Sequence, residues 1–154
     1  MNDSTPSTYE FRRSHEILIA ATPAEVLDYV SNPNTWPEWI AASHEIDSPD
    51  RPLVKGDHFR EEWATRTGPA ELKWTVTDSA PGRFWVGETG TPFLGPIIVR
   101  YDVVAEASGT RFTRSLHNPA RPKPATEAMI AAIDDEAAVS LENIKRNVER
   151  RTAD

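Results

Sequence analysis

Apolar residues at Met129, Ile133, Ala137, Leu141, Ile144 and Val148 are separated by steps of four, four, four, three and four. That spacing marks one face of an α-helix. It predicts a helix from Pro124 to about Arg150, roughly 40 Å long at ~1.5 Å per residue. Pro124 suits the first turn, where its missing N–H is not needed. The other face carries Glu127, Asp134, Asp135, Glu142, Lys145 and Glu149 and is expected to meet water. Asp134-Asp135-Glu136 reads most simply as a solvated stretch of that face. One apolar stripe of this length needs a large apolar partner.

The upstream chain supplies it as strands. From Tyr9 to Ala20, Phe11, Arg13, His15, Ile17 and Ile19 alternate with polar positions. Thr22-Pro23-Ala24-Glu25 has the spacing of a capping box and predicts a short helix from Pro23 to about Ser31. Thr35-Trp36-Pro37-Glu38 repeats the device and predicts a second short helix from Trp36 to about Ala42. Further strands are expected at 43–47, 57–67, 69–79, 83–89, 97–106 and 110–117, joined by turns rich in Gly and Pro. Gly90–Pro96 reads as a loop, and Asn118–Pro124 as a stiff linker into the long helix. The order strand, two short helices, six strands, long helix predicts an α+β fold. In it a curved antiparallel sheet of about seven strands is covered on its concave face by the C-terminal helix. Such a sheet and a single helix leave a space between them, the natural place for a ligand cavity.

The chain has 154 residues, enough for one domain with a sizeable core. Residues 1–8 are polar and expected to form a disordered tail ahead of one domain spanning 9–151. There is no cysteine, which excludes disulfides and thiolate chemistry. The histidines have no metal-ligand spacing, so no metal or cofactor is expected. A net charge of −7 without a basic stripe argues against nucleic acid and anionic membrane surfaces. No apolar run is long enough for membrane insertion, and nothing resembles a signal peptide, so a cytoplasmic location is expected. A homodimer is compatible with the sequence. No phosphate-binding glycine motif or serine-nucleophile motif is present.

Placing each strand's apolar residues inward carries certain polar groups with them. Arg13 and His15 come in with the first strand, Glu61 with the third, and Arg114 between Phe112 and Leu116 on the last. Buried charges need partners, so a Glu and an Arg facing one cavity can pair with each other or with a ligand. His15 has the chemistry of an acid or base near neutral pH. Glu61, Arg114 and His15 are therefore the candidate catalytic groups. The competing reading leaves all of them solvated at strand ends. Phe59, Trp63, Trp74, Phe112, Met129 and Ile133 are the inward candidates for ligand contact, with Trp85 completing an aromatic wall. Phe93 and Leu94, apolar at the tip of the Gly90–Pro96 loop, are candidates to fold over the cavity mouth. Trp36 and Trp39 are expected to pack the helical corner.

Several of these stretches together resemble a known family. They are Ile19-Ala20-Ala21-Thr22-Pro23-Ala24-Glu25-Val26, Asn32-Pro33, Trp36-Pro37-Glu38-Trp39, Gly56-Asp57 with Phe59, Gly109-Thr110-Arg111-Phe112-Thr113, and Leu141-Glu142-Asn143-Ile144-Lys145. Over about residues 10 to 150 the chain is similar to the START-like, helix-grip superfamily, also called SRPBCC, in its polyketide cyclase/dehydrase-like branch of small bacterial proteins. The resemblance implies a cavity for a small hydrophobic or aromatic molecule. It leaves two roles open: a ligand-binding or lipid-carrier-like protein, or a polyketide cyclase/dehydratase (aromatase) using the cavity Arg, Glu and His groups. The shared motifs are caps, turns and core positions, which specify fold rather than chemistry.

Overall fold

The computed structural model describes residues 8–40, 43–65, 68–91 and 94–152; Phe93 and the Trp63 side chain lie outside the described residues. The order is β1 (Tyr9–Ile19), α1 (Pro23–Val30), a 3-10 turn (Pro33–Thr35), α2 (Trp36–Trp39), β2 (Ser43–Asp47), β3 (His58–Thr65), β4 (Gly68–Ala80), β5 (Phe84–Thr91), β6 (Gly95–Glu106), β7 (Gly109–Arg121) and α3 (Glu127–Thr152). The strands form one antiparallel sheet in the order β1-β7-β6-β5-β4-β3-β2. β1 therefore leaves the meander and returns beside the last strand, with Ile17 opposite Phe112. The fold is α+β, a helix-grip arrangement of curled sheet and long helix.

Local sequence explains the elements. Thr22 accepts the Glu25 N–H and the Glu25 carboxylate accepts the Thr22 N–H, so the predicted capping box of α1 is formed. The second cap falls elsewhere. Asn32, not Thr35, caps the next turn, accepting the Asn34 N–H at 3.1 Å. Thr35 is itself helical, and its hydroxyl donates to the Tyr29 and Asn32 carbonyls. An Asx residue just before Pro33 captures the chain earlier than the Thr35 signal can act. The long helix also starts later than predicted. Thr126 accepts the Met129 N–H at 3.1 Å, and Pro124 stands outside the helix.

Two predicted loops are largely strand. β7 continues past His117 to Arg121, because Pro119 needs no donor on its free side. Of the predicted Gly90–Pro96 loop, Gly90 and Thr91 end β5 and Gly95 and Pro96 begin β6. Thr91 Oγ1 accepts the Leu94 N–H and donates to the Gly95 carbonyl, each within 2.9 Å. Asn118 on β7 donates to the Leu94 and Pro96 carbonyls. Gly95 has φ +73, and a Cβ there would meet the Ala120 carbonyl oxygen at 2.7 Å. Two neighbouring strands therefore hold the described part of this turn.

The inner sheet face and the corner make the core. Trp36 meets Trp39, Phe59, Trp74, Trp85 and Tyr101 edge-on, with centroids 5.2 to 6.5 Å apart. Gly87 makes room for the Trp85 ring, which a Cβ would meet at 2.6 Å. In β4 the register shifts between Val76 and Asp78, a bulge that increases the bend of the sheet.

The helix stripe is used unevenly. Ala137, Leu141, Ile144 and Val148 are buried, while Met129 and Ile133 are only half-buried. The C-terminal half of α3 therefore grips the sheet and the N-terminal half stands away from it. Leu141→Ala is expected to cost about 2–5 kcal/mol of stability, read as the shift in urea-unfolding free energy. A variant as stable as the parent would show that this contact does not hold the helix.

Candidate functional site

The space under the N-terminal half of α3 is a cavity of about 390 Å³. That size falls within the usual range for small-molecule sites. Its sheet wall is Leu72, Trp74, Ile97, Val99 and Tyr101; Trp36 and Ile40 close it from the corner. Met129, Ala132, Ile133 and Ala137 form its helical side. Phe11, Leu94, Leu116 and Asn118 lie around the β1, β7 and hairpin end.

Of the sequence candidates, Arg13, His15, Glu61, Trp74, Leu94, Arg114, Met129 and Ile133 all line this one space. Phe59 and Phe112 do not. Phe59 is stacked against Trp74 at 5.8 Å, and Phe112 is fully buried beside Tyr101. Trp85 lies behind Tyr101, stacked at 5.1 Å, so it backs the aromatic wall rather than forming it. Trp36 both packs the corner and faces the cavity. An inward-facing strand residue is core where sheet and helix touch and lining where they part, and strand periodicity does not distinguish the two.

The charged groups are paired across the helix–sheet gap. Arg114 NH1 donates to Glu136 Oε2 at 3.2 Å, and its guanidinium stands 5.5 Å from the Trp39 ring centre. Ser140 Oγ donates to the other Glu136 oxygen. To the partners open to Arg114 in the sequence, a cavity glutamate or a ligand, the structure adds a third, Glu136 on α3. Glu61 is 4% exposed and accepts from Trp74 Nε1 at 3.2 Å, among other interactions. Arg13 grips Asp134 with two donors, Nε at 2.8 Å and NH2 at 2.6 Å. His15 Nε2 lies 2.7 Å from Asp134 Oδ1. Hydrogen bonds from Arg13 first and His15 second hold the Asp134 carboxyl well below the usual carboxylate range. An ionised carboxylate only accepts, so His15 carries its proton on Nε2, and only Nδ1 remains for other chemistry. Asp134 and Glu136 are therefore not simply solvated. They flank the buried stripe of α3 and meet the first and last strands.

Sequence reasoning passed over Tyr101, Asn118, Arg121 and Glu136. Tyr101 alternates with Val99 and Val103, so its inward direction was legible. Glu136 is three residues from Ile133 on the same side of the helix. Asn118 and Arg121 were hidden in a segment read as linker. Tyr101 is 1% exposed, lines the cavity, and has no hydrogen-bond partner for its hydroxyl among the described residues. Burial pushes its ionisation up; Arg114 opposes this, and Glu61 and Glu136 reinforce it. The phenol thus stays protonated amid three charged side chains. Among the described residues no group of three or more His, Asp or Glu side chains is placed to hold a metal, and no helix is long and apolar enough to cross a membrane.

A curled antiparallel sheet holding one long helix over an internal cavity defines the helix-grip class. Within it, this chain belongs to the family described as polyketide cyclase / dehydrase and lipid transport, which matches residues 10–149. The fold is similar to that of the Zhui aromatase/cyclase from Streptomyces at 12% identity and TM-score 0.71, over 94% of this chain and 96% of that one. It is similar to StfQ, a di-domain ARO/CYC from the steffimycin biosynthetic pathway, at 13% identity and TM-score 0.74, over 94% of this chain and 52% of that one. It is also similar to Ara h 8.0201 at 11% identity and TM-score 0.69, over 91% and 98% of the two chains. At these identities the likeness is one of fold. No curated protein matches the chain.

The Asp134 latch has a pH signature. Its folded-state pKa is depressed, so its stabilisation is complete above the ordinary Asp value of about 3.9 and fades as pH falls below it. Urea midpoints between about pH 5 and about pH 2.5 should therefore fall more steeply for the parent than for Asp134→Asn. Parallel curves would show that the latch contributes nothing to acid sensitivity.

Proposed function

We propose that this protein binds a small apolar or aromatic molecule in the cavity between the sheet and α3, with a polar group of that molecule meeting the Tyr101 hydroxyl. The observation that carries the reading is the combination of apolar walls with a protonated phenol that has no hydrogen-bond partner among the described residues. A ligand carbonyl, ether or hydroxyl gains a hydrogen bond there that water would otherwise provide, and the apolar remainder gains burial. The Arg114–Glu136 and Arg13–Asp134 pairs already satisfy one another, so a neutral ligand need not neutralise them. Family membership supports the same reading, since the family description includes lipid transport.

Filling the cavity should block binding. Ala132 faces it from α3, and Ala132→Trp is expected to weaken binding of the neutral fluorescent probe N-phenyl-1-naphthylamine about tenfold or more. The melting temperature should move by less than about 3 °C, a shift of no more than about 1 kcal/mol. Unchanged probe affinity would place binding elsewhere.

Cyclisation or dehydration of a polyketide-like chain is the second reading. One observation favours it: Tyr101 stands opposite Arg114 across the β6–β7 pair, and Glu61 lines the same cavity. The phenol and guanidinium would polarise a carbonyl, and Glu61 or His15 would move protons. Offered a poly-β-carbonyl thioester, the protein should then speed formation of the cyclised product seen by mass spectrometry. Arg114→Leu should reduce that rate about 10²-fold. A parent protein no faster than buffer leaves the binding reading alone.

A further inference from the structure

The cavity holds three arginines, and they are not alike. Arg13 pairs with Asp134 and Arg114 with Glu136. Arg121, at the end of β7, has no carboxylate partner among the described residues. Its contacts are all neutral: Nε donates to the Lys123 carbonyl at 3.1 Å, NH1 to Asn118 Oδ1 at 3.1 Å, and NH2 to Met129 Sδ at 3.3 Å. Its guanidinium also stands 6.0 Å from the centre of the Phe11 ring.

A guanidinium has five N–H donors, so two remain. The thioether is a weak acceptor and is readily displaced by a charged oxygen. The group is also held in place. Asn118, 2% exposed, accepts from Arg121 with its oxygen while its nitrogen donates to the Leu94 and Pro96 carbonyls. Arg121 is therefore a positioned, half-buried cation facing an apolar space. Glu61, on β3, lies four strand positions away in the sheet, roughly 19 Å along it. The cavity's arginine without a carboxylate partner among the described residues therefore stands at the β7 end, away from Glu61.

We infer that the cavity selects an amphipathic monocarboxylate, a fatty or aryl-alkyl acid, whose carboxylate is bound by Arg121 while its apolar body lies toward Trp74 and Leu72. This rests on the reading that the cavity binds a small apolar molecule and specifies its ligand class; the carboxylate sits at Arg121, and the Tyr101 hydroxyl serves a second polar group of the acid or, for a plain acid, cavity water. A carboxylate offers two oxygens to the two remaining N–H groups and one negative charge to the cavity arginine that has no carboxylate partner among the described residues. A phosphate dianion would carry a second charge into apolar walls without a partner. A neutral lipid would leave the guanidinium unneutralised.

The test is displacement of bound N-phenyl-1-naphthylamine by decanoate, methyl decanoate and decan-1-ol at neutral pH. In the parent protein, decanoate should displace the probe at a concentration at least about tenfold lower than either neutral compound, as one charge-assisted contact gives. Arg121→Gln should bring decanoate level with decan-1-ol while leaving decan-1-ol unchanged. Arg121→Lys, which keeps the charge, should retain a preference for decanoate. Equal displacement by all three compounds in the parent overturns the inference. So does an Arg121→Gln protein that loses decanoate and decan-1-ol by the same factor. If Arg121→Gln does not fold, the parent comparison of decanoate with methyl decanoate still decides. A parent protein that takes up no probe overturns both the binding reading and this one. Probe uptake without acid preference overturns this one alone.

Discussion

The structure depends on where Trp36 is held. Its indole N–H donates to the Val30 carbonyl at 2.9 Å, and its ring touches five others. Those rings come from α2, β3, β4, β5 and β6, so one side chain ties the corner to most of the sheet. Aromatic pairs of this kind contribute about 0.5–1.5 kcal/mol each beyond their area. Asn32, Pro33 and Thr35 exist in the local chain to turn it so that Trp36 points inward. The same ring is the floor of the cavity. Core and cavity therefore share a wall, and a change in the corner is felt in both.

The cavity follows from an unequal grip. From Ala137 onward α3 packs on the sheet through small and branched residues. Before it, Met129 and Ile133 stand off, and the gap is spanned by ion pairs rather than by packing. Arg13 and His15 reach Asp134 from β1, and Arg114 reaches Glu136 from β7. Ion pairs at this exposure contribute little stability. They do hold the helix at a fixed distance. A hydrophobic contact in the same place would close the gap and remove the space.

Placing polar groups at the two ends of an apolar cavity gives direction to whatever binds there. Tyr101 sits midway along the sheet wall, with Arg114 and Glu61 acting on it. Arg121 marks the end bounded by the β5–β6 turn. That turn is tied to β7 through Asn118, which also orients the arginine. Arginine placement and hairpin closure thus meet in one buried amide.

The sequence alone determined which elements form and which way they face. The α1 capping box, the alternation of Leu72, Trp74 and Val76, and the four-three-four stripe of α3 are local facts of spacing, and local spacing governs local structure. The motifs of corner, hairpin and helix end led to the helix-grip resemblance for the same reason. Tertiary structure decided what periodicity cannot express. Phe59 and Trp74 share an inward face, but only Trp74 meets the cavity, because the distance between helix and sheet changes along α3. Arg114 pairs with Glu136, because the helix brings a carboxylate to it. Thr35 lost its expected cap to Asn32, and Asn118 and Arg121 became strand rather than linker once β1 was there to pair with them. Charge partners and strand ends are set by neighbours distant in sequence, and those neighbours exist only after the chain has folded.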